Sequence, residues 1–111
     1  MEQIEKKNHY NSLIIIYGKR LSNKARQDLV DYYSNDLSLS EIAEKRGVSR
    51  NAIFMSIHNG EKELDKLEEQ IGFLKHLKRE SENLASALSE NDTVKLKEKL
   101  KKMRKDLYYG I

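Results

Sequence analysis

The sequence SLSEIAEKRGVSRNAIFMSIHN, residues 38–59, has the pattern of two short amphipathic helices joined by a tight turn. Ser38 and Glu41 have the S-x-x-E spacing of a capping box, which predicts where the first helix begins. Gly47 follows at the position where the end of a helix needs a residue that tolerates a positive φ. This stretch is therefore predicted to be a helix-turn-helix.

The second helix of the motif is predicted to begin after Ser49, because a serine hydroxyl suits an N-cap. Ile53 and Ile57 are four residues apart and would turn one apolar stripe back onto the first helix, where Ile42 and Ala43 face inward. The opposite face of the second helix is then left for a partner.

That outward face has residue types that can read DNA bases near the start of the helix, where a helix-turn-helix contacts base edges in the major groove. Arg50 can address guanine through two donors, and Asn51 can pair with adenine. Lys45 and Arg46, on the preceding helix, can meet phosphates. Two further candidates, Met55 and His58, lie along or just beyond the same side.

A second interpretation of the same stretch is a helical hairpin that only packs or binds protein, since such hairpins are common in all-helical proteins. Beyond Arg50 the second helix has no Lys or Arg until Lys62. Phe54 and Met55 suit a protein-binding surface as well as a duplex. The fold and the function are therefore separate inferences.

The composition favours an all-α fold, because the 111 residues include no proline and only 5 glycines. We expect one all-helical domain over residues 1–111, with a helix-turn-helix core at 22–59 and a C-terminal helical extension at 60–111. Outside the motif, helices are predicted at about 4–20, about 22–34 and about 91–109, with a long helical segment to about residue 88 whose weak points are Gly60 and Gly72.

Several function classes are disfavoured by the residues present. The chain has no cysteine, and its three histidines are too far apart to form a helical ligand pair, so we expect no metal and no cofactor. No glycine-rich phosphate loop or activated nucleophile is evident, so we do not expect an enzyme. The longest apolar run, 13–17, is too short to span a bilayer, so we expect a cytoplasmic protein without a membrane partner.

The helices around the motif raise three further expectations. In the 22–34 helix, Asp28 and Asp31 are predicted to be solvated. Tyrosines at helical spacing are expected in the core with their hydroxyls reaching the surface, although stacking on bases is an alternative; they are Tyr10, Tyr17, Tyr32 and Tyr33. A short apolar seam formed by Leu64, Leu67, Ile71 and Leu74 favours a homodimer.

The net charge of +3 permits nucleic-acid binding without demanding it. From Lys95 to Lys105 the chain has seven Lys or Arg residues, with Glu98 as the single acid. This run is either the solvated face of the last helix or a phosphate-binding strip for DNA or structured RNA.

The order SNKARQDLVDYY (22–33), LSEIAE (39–44), GVSR (47–50) and a long Glu/Leu/Lys helix resembles the YlxM-like family of small bacterial proteins, over most of the chain to about Leu77. In that family the helix-turn-helix is similar to region 4 of sigma factors, and the genes tend to sit beside those of the signal recognition particle or its receptor. The resemblance thus implies a regulatory or accessory role in co-translational membrane targeting, with a DNA-reading role at Ser49, Arg50 and Asn51.

The predicted nucleic-acid-binding residues are therefore Ser49, Arg50, Asn51, Met55, His58, Lys45 and Arg46. DNA is favoured over RNA as the partner, and components of the signal recognition particle are further candidates.

Overall fold

The structure is a computed structural model, and it describes the backbone of residues 2–109 and the side chains of residues 2–105. The described residues form α-helices and no β-strand, which confirms the predicted all-α fold. The helices are α1 (Gln3–Tyr17), α2 (Asn23–Leu29), α3 (Leu39–Arg46), α4 (Arg50–Ile71), α5 (Phe73–Leu88) and α6 (Thr93–Tyr109). A 3₁₀ turn, Gly18–Arg20, follows α1, and a π-helical turn, Val30–Ser34, continues α2.

Backbone contacts divide the chain into two compact units, with the boundary between Ile71 and Gly72. The sequence pattern placed the start of the C-terminal extension at residue 60, but α4 passes through Gly60 without a break. The helical segment is interrupted instead at Gly72, between α4 and α5. Gly72 has a φ of 71°, in the left-handed region that glycine tolerates. Folding of residues 1–111 as one domain stays a prediction.

The predicted helix-turn-helix is present in the first unit, and its start has the expected capping box. The Ser38 hydroxyl accepts from the Glu41 amide at 3.1 Å, and the Glu41 carboxylate accepts from the Ser38 amide, also at 3.1 Å. Both bonds satisfy amide groups that the first turn of α3 leaves without helical partners.

The turn between α3 and α4 also follows its sequence signals. Gly47 has a φ of 69°, and its amide donates to the carbonyl of Glu44 while the Val48 amide donates to that of Ala43. This pair of bonds is a Schellman motif, which ends α3 sharply. Three residues, 47–49, separate the end of α3 from the start of α4.

The core of the first unit is formed by apolar side chains from all four of its helices, and Leu13, Leu29, Ile42 and Leu64 are fully buried. The other buried apolar residues of this unit are Tyr10, Ile14, Tyr17, Leu21, Tyr33, Ala43, Ile53 and Ile57. The tyrosine prediction is confirmed for Tyr10, Tyr17 and Tyr33, whereas Tyr32 is half-buried.

The buried tyrosines are tied to the second half of α4 through their hydroxyls, each of which donates to a carboxylate. The pairs are Tyr33 with Glu61 at 2.8 Å, Tyr10 with Asp65 at 2.7 Å, and Tyr17 with Glu68 at 2.9 Å. Burial, followed by the bond to the carboxylate, raises the pKa of Tyr10 and of Tyr33, so both remain donors at physiological pH. These contacts hold α1 and the π-helical turn against α4.

The second unit contains α5 and α6, which contact each other. The Lys99 ammonium donates to the Ser86 hydroxyl at 3.0 Å and to the Glu90 carboxylate at 3.1 Å. Several large apolar side chains in this unit are exposed: Leu77, Leu84 and Leu88 on α5, and Val94 and Leu100 on α6.

Gly60 marks the close approach of α2 and α4. A Cβ atom added to Gly60 would lie 2.7 Å from Leu29 Cδ1 and 3.2 Å from Leu29 Cγ. Because Leu29 is fully buried, its side chain has little room to move away. The sequence pattern makes this glycine a weak point of the helical segment, whereas the structure shows it as a packing contact inside a continuous helix.

We expect Gly60→Ala to destabilise the protein. Overpacking costs about 1–3 kcal/mol, which should exceed the gain of up to about 1 kcal/mol that alanine brings over glycine inside a helix. The free energy of unfolding, measured by urea denaturation, checks this. Asn59→Ala, at the preceding exposed position, is the control and should leave stability unchanged or slightly raised; a Gly60→Ala variant more stable than the wild type would contradict the close packing.

Candidate nucleic-acid interface

The first two turns of α4 present an exposed face on the side opposite the core. Ile53 and Ile57 are buried against the rest of the unit, whereas Arg50 and Asn51 are exposed in the first turn. Further along the same face, Met55 is 45% exposed and His58 is also exposed. Four of the seven predicted site residues are thus exposed in the first three turns of a single helix, and Asn51, Met55 and His58 share one face of it.

The start of α4 is organised by Ser49, whose side-chain oxygen accepts from the Ala52 amide at 3.0 Å. This bond makes Ser49 the N-cap, as its sequence position predicts. The remaining amide groups of the first turn point out of the helix end, where the helix dipole favours an anion such as a backbone phosphate. A role for Ser49 in nucleic-acid contact stays a prediction.

Phe54 extends the exposed face on one side. It is 48% exposed, and its ring is stacked on that of His58, with 6.0 Å between centroids and 5° between planes. The stacking holds both rings against the helix surface. The exposed face of α4 therefore has hydrogen-bonding groups in its first turn. One turn later it has an apolar edge, formed by Phe54 and Met55.

Lys45 and Arg46, the two predicted phosphate contacts, differ in their surroundings. The Lys45 side chain is 53% exposed, with its ammonium 3.4 Å from Asp31 Oδ2. The Arg46 side chain is only 19% exposed; its Nε donates to Asp28 Oδ1 at 2.9 Å and its Nη2 to Asp31 Oδ2 at 2.6 Å. Phosphate contact by Lys45 stays a prediction, whereas the position of Arg46 favours a structural role.

The expectation that Asp28 and Asp31 are solvated is wrong, because both side chains are fully buried. The Arg46 guanidinium bridges them, which compensates two negative charges that would otherwise be very costly to bury. Their other oxygens are also satisfied. Asp28 accepts from the Ser56 hydroxyl at 2.8 Å, and Asp31 accepts from Gln27 at 3.1 Å and Asn35 at 3.0 Å.

This buried network joins three helices, since Asp28 belongs to α2, Arg46 to α3 and Ser56 to α4. Asp31 lies in the π-helical turn that continues α2. The network thereby attaches the last turn of α3 and the second turn of α4 to α2 and the π-helical turn that continues it. It positions the exposed face of α4 without itself being part of that face.

The pKa shifts of Asp31 and Arg46 favour the charged form of both groups. Burial by itself raises the pKa of the Asp31 carboxyl, but hydrogen bonds from Asn35, Arg46 and Gln27 outweigh it and bring the pKa below its ordinary value. Burial lowers the pKa of Arg46, but its bonds to the two carboxylates reverse the shift, so that this pKa is raised. At neutral pH the network therefore contains opposite charges.

Sequence reasoning missed Asp28, Asp31 and Ser56, although part of the signal was present. Arg46 follows Ile42 by four residues and Ala43 by three, so it lies on the inward face of α3. Asp28 follows Ala25 by three residues and precedes Leu29, which places it within the apolar arc of α2. A charged residue on each of two inward faces indicates a buried pair.

The part of the chain that the structure describes contains no group of three or more His, Asp or Glu residues arranged to hold a metal ion. Within the same residues, no helix has the length and apolar character needed to traverse a lipid bilayer.

Comparison with known proteins gives a family match over residues 4–106, to the family described as "UPF0122: Putative helix-turn-helix protein, YlxM / p13 like". A UPF0122 protein of Malacoplasma penetrans is 50% identical over 62 residues, which are 56% of this chain and 58% of that protein. A UPF0122 protein of Listeria welshimeri is 44% identical over 71 residues, 64% of each chain. The matches to these curated relatives thus span about three-fifths of their length.

We expect Arg46→Ala to destabilise the first unit strongly, by about 3–5 kcal/mol, because the change leaves two buried carboxylates without their main partner. Lys45→Ala is the matched control; it removes an adjacent positive charge that is mostly in solvent, so its cost should be about 0–1 kcal/mol. Urea denaturation followed by circular dichroism gives both values. Equal losses in the two variants would contradict a structural role specific to Arg46.

Proposed function

This chain belongs to the UPF0122 family of YlxM/p13-like helix-turn-helix proteins, and we propose that it is a regulatory DNA-binding protein that takes part in the signal recognition particle pathway. The exposed first turn of α4 is the observation on which the DNA-binding part depends. In this proposal α4 enters the major groove, Arg50 and Asn51 contact base edges, and Met55 and His58 extend the contact. Ser49 and Lys45 meet phosphates, while Arg46 positions α3 and α4.

The charge pattern around the helix-turn-helix supports a polyanionic partner. From Lys45 to Gly60 no acidic residue occurs, although Asp and Glu make up 18 of the 111 residues. A surface that approaches a duplex must avoid carboxylates, because they repel phosphates. The absence of acids over the turn and the first half of α4 therefore favours DNA over an unspecified protein surface.

The pathway assignment depends on the family resemblance, and a cytoplasmic location and a role without enzymatic activity are further parts of the proposal. The family description names a helix-turn-helix and no reaction. We infer that the protein acts by occupying nucleic acid, and that components of the signal recognition particle are further partners.

A second candidate function is a protein- or RNA-interaction module of the targeting machinery without sequence-specific DNA binding. The observation that favours it is the apolar edge of α4, where Phe54 and Met55 are 48% and 45% exposed. Exposed aromatic and methionine side chains are enriched in protein interfaces. The basic run at 95–105 would be the RNA-binding part of such a module.

We also propose that the protein is a homodimer, with a contact surface different from the one that its sequence suggested. Leu64 belongs to the core of the first unit, and the helix ends at Ile71, so no continuous seam runs from Leu64 to Leu74. Exposed leucines lie instead on one face of α5, at Leu77, Leu84 and Leu88. A dimer formed through this face would contain two helix-turn-helix motifs, the number that a pair of half-sites requires.

We expect Asn51→Ala to weaken binding to the preferred duplex by about 1–3 kcal/mol, because a bidentate contact to adenine is lost, and to relax specificity at one base pair.

We expect Lys45→Ala to reduce affinity evenly across sequences and to lower the salt slope by about 1. Fluorescence anisotropy with duplexes enriched from a randomised library, measured across a salt series, gives both quantities.

Arg20→Ala is the charge control for the DNA measurements, since Arg20 is exposed and precedes the helix-turn-helix. It should change affinity and the salt slope much less than Lys45→Ala. No saturable binding of the wild-type protein to any duplex at low salt would reject the DNA-binding proposal, and tight binding to structured RNA under the same conditions would support the second candidate.

We expect Leu84→Glu to convert the homodimer into a monomer, because it places a charge at the middle of the exposed leucine face of α5. Sedimentation velocity at micromolar concentration measures the change. Ile15→Glu, the same type of substitution at an 85% exposed position of α1, should leave the dimer intact. A wild-type protein that sediments as a monomer, or a dimer lost only through Ile15→Glu, would contradict this surface.

A further inference from the structure

The apolar edge of α4 is displaced from Asn51 by about one helical turn. Phe54 and Met55 follow Asn51 by three and four residues, so the three side chains lie on neighbouring positions of one helix face. At a rise of about 1.5 Å per residue, the edge lies about 4.5–6 Å further along the helix axis. Successive bases of a strand are about 3.4 Å apart, so the edge reaches a base one or two steps from that contacted by Asn51.

The largest apolar group that a base pair presents in the major groove is the 5-methyl group of thymine. The other base edges present hydrogen-bond donors and acceptors, which would lose water without gaining a partner if a phenyl ring or a thioether covered them. Phe54 and Met55 have no groups that could satisfy those edges. Their chemistry therefore fits a thymine and disfavours a G·C pair.

One ring contact restrains Phe54 on the helix surface. The ring of Phe54 is stacked parallel to that of His58, one turn later on the same helix. A side chain already held against the helix loses less conformational entropy on binding than a free one. About half of the ring remains exposed and available to a base.

We propose that Phe54 and Met55 recognise thymine methyl groups, one or two base pairs from the adenine that Asn51 contacts. This inference rests on the proposed DNA-binding function. The protein then selects an A·T-containing element in which the adenine is read by hydrogen bonds and the neighbouring thymine by its methyl group. This assigns the apolar edge a role in specificity in place of a protein contact.

Substitution of thymidine by 2′-deoxyuridine tests the proposal, because it removes a single methyl group and leaves base pairing intact. The probe is the duplex that the wild-type protein enriches from a randomised library, with its thymidines replaced one at a time. Removing one buried methyl group should weaken binding about fourfold at one or two positions, measured as the ratio of Kd values. The other positions should show no change.

Two variants identify the residues that sense the methyl group. Phe54→Ala and Met55→Gln change exposed side chains and should leave the fold intact, which circular dichroism checks. In at least one of these two variants, the ratio of Kd values between the deoxyuridine and thymidine duplexes should fall from about four to about one at the sensitive position. Glu63→Gln, at an exposed position later on α4, should keep the full ratio.

The outcomes separate this inference from the function on which it rests. Sequence-selective binding with no sensitivity to deoxyuridine at any position would overturn the thymine contact and leave the DNA-binding function standing. A ratio that both variants retain would overturn the assignment to Phe54 and Met55. Wild-type duplex binding by Met55→Gln, together with loss of a protein partner, would identify the edge as a protein-docking surface; no duplex binding at all would overturn both.

Discussion

The ion pair between Arg46 and the two buried carboxylates of Asp28 and Asp31 is the constraint on which the rest of the first unit depends. Ser49, Gly47 and the capping box determine where helices begin and end, but they do not determine how α3 and α4 cross α2. The guanidinium does so, because it must reach both carboxylates at once, and Ser56 joins α4 to the same support at 2.8 Å. The exposed face of α4 is oriented by these directional bonds in addition to apolar packing.

A buried charged network is a costly way to join helices, and an apolar substitute of the same volume is often as stable. What such a network adds is discrimination between alternative packings. A rotation of α3 that kept Ile42 and Ala43 in the core but moved Arg46 away would leave two carboxylates buried without compensation. Since a DNA-reading helix must be placed within about an ångström, we interpret the network as a device for orientation, in contrast to the less directional contacts of the core.

The features that the sequence predicted correctly depend on residues close together in the chain. Ser38 bonds to Glu41 within one helical turn, and Gly47 needs only its own φ of 69° to end α3. Such signals require no knowledge of tertiary structure. The features that the sequence did not predict join distant residues: Asp28 meets Arg46 across 18 positions, and Gly60 packs on Leu29. The candidate site could be proposed because its residues lie within one short stretch, 45–58, whereas the buried network was missed because its residues come from three helices.

The two halves of α4 have different electrostatic character, and this restricts how the helix can approach DNA. The first half has no acidic residue, whereas the second half uses Glu61, Asp65 and Glu68 to accept bonds from buried tyrosines. Those carboxylates cannot lie beside phosphates without repulsion. The proposed binding mode therefore requires that the helix enters the groove by its first two turns, with its second half directed away from the duplex. The bonds that anchor the helix in its own fold would then also limit the proposed recognition surface to residues near Asn51 and Met55.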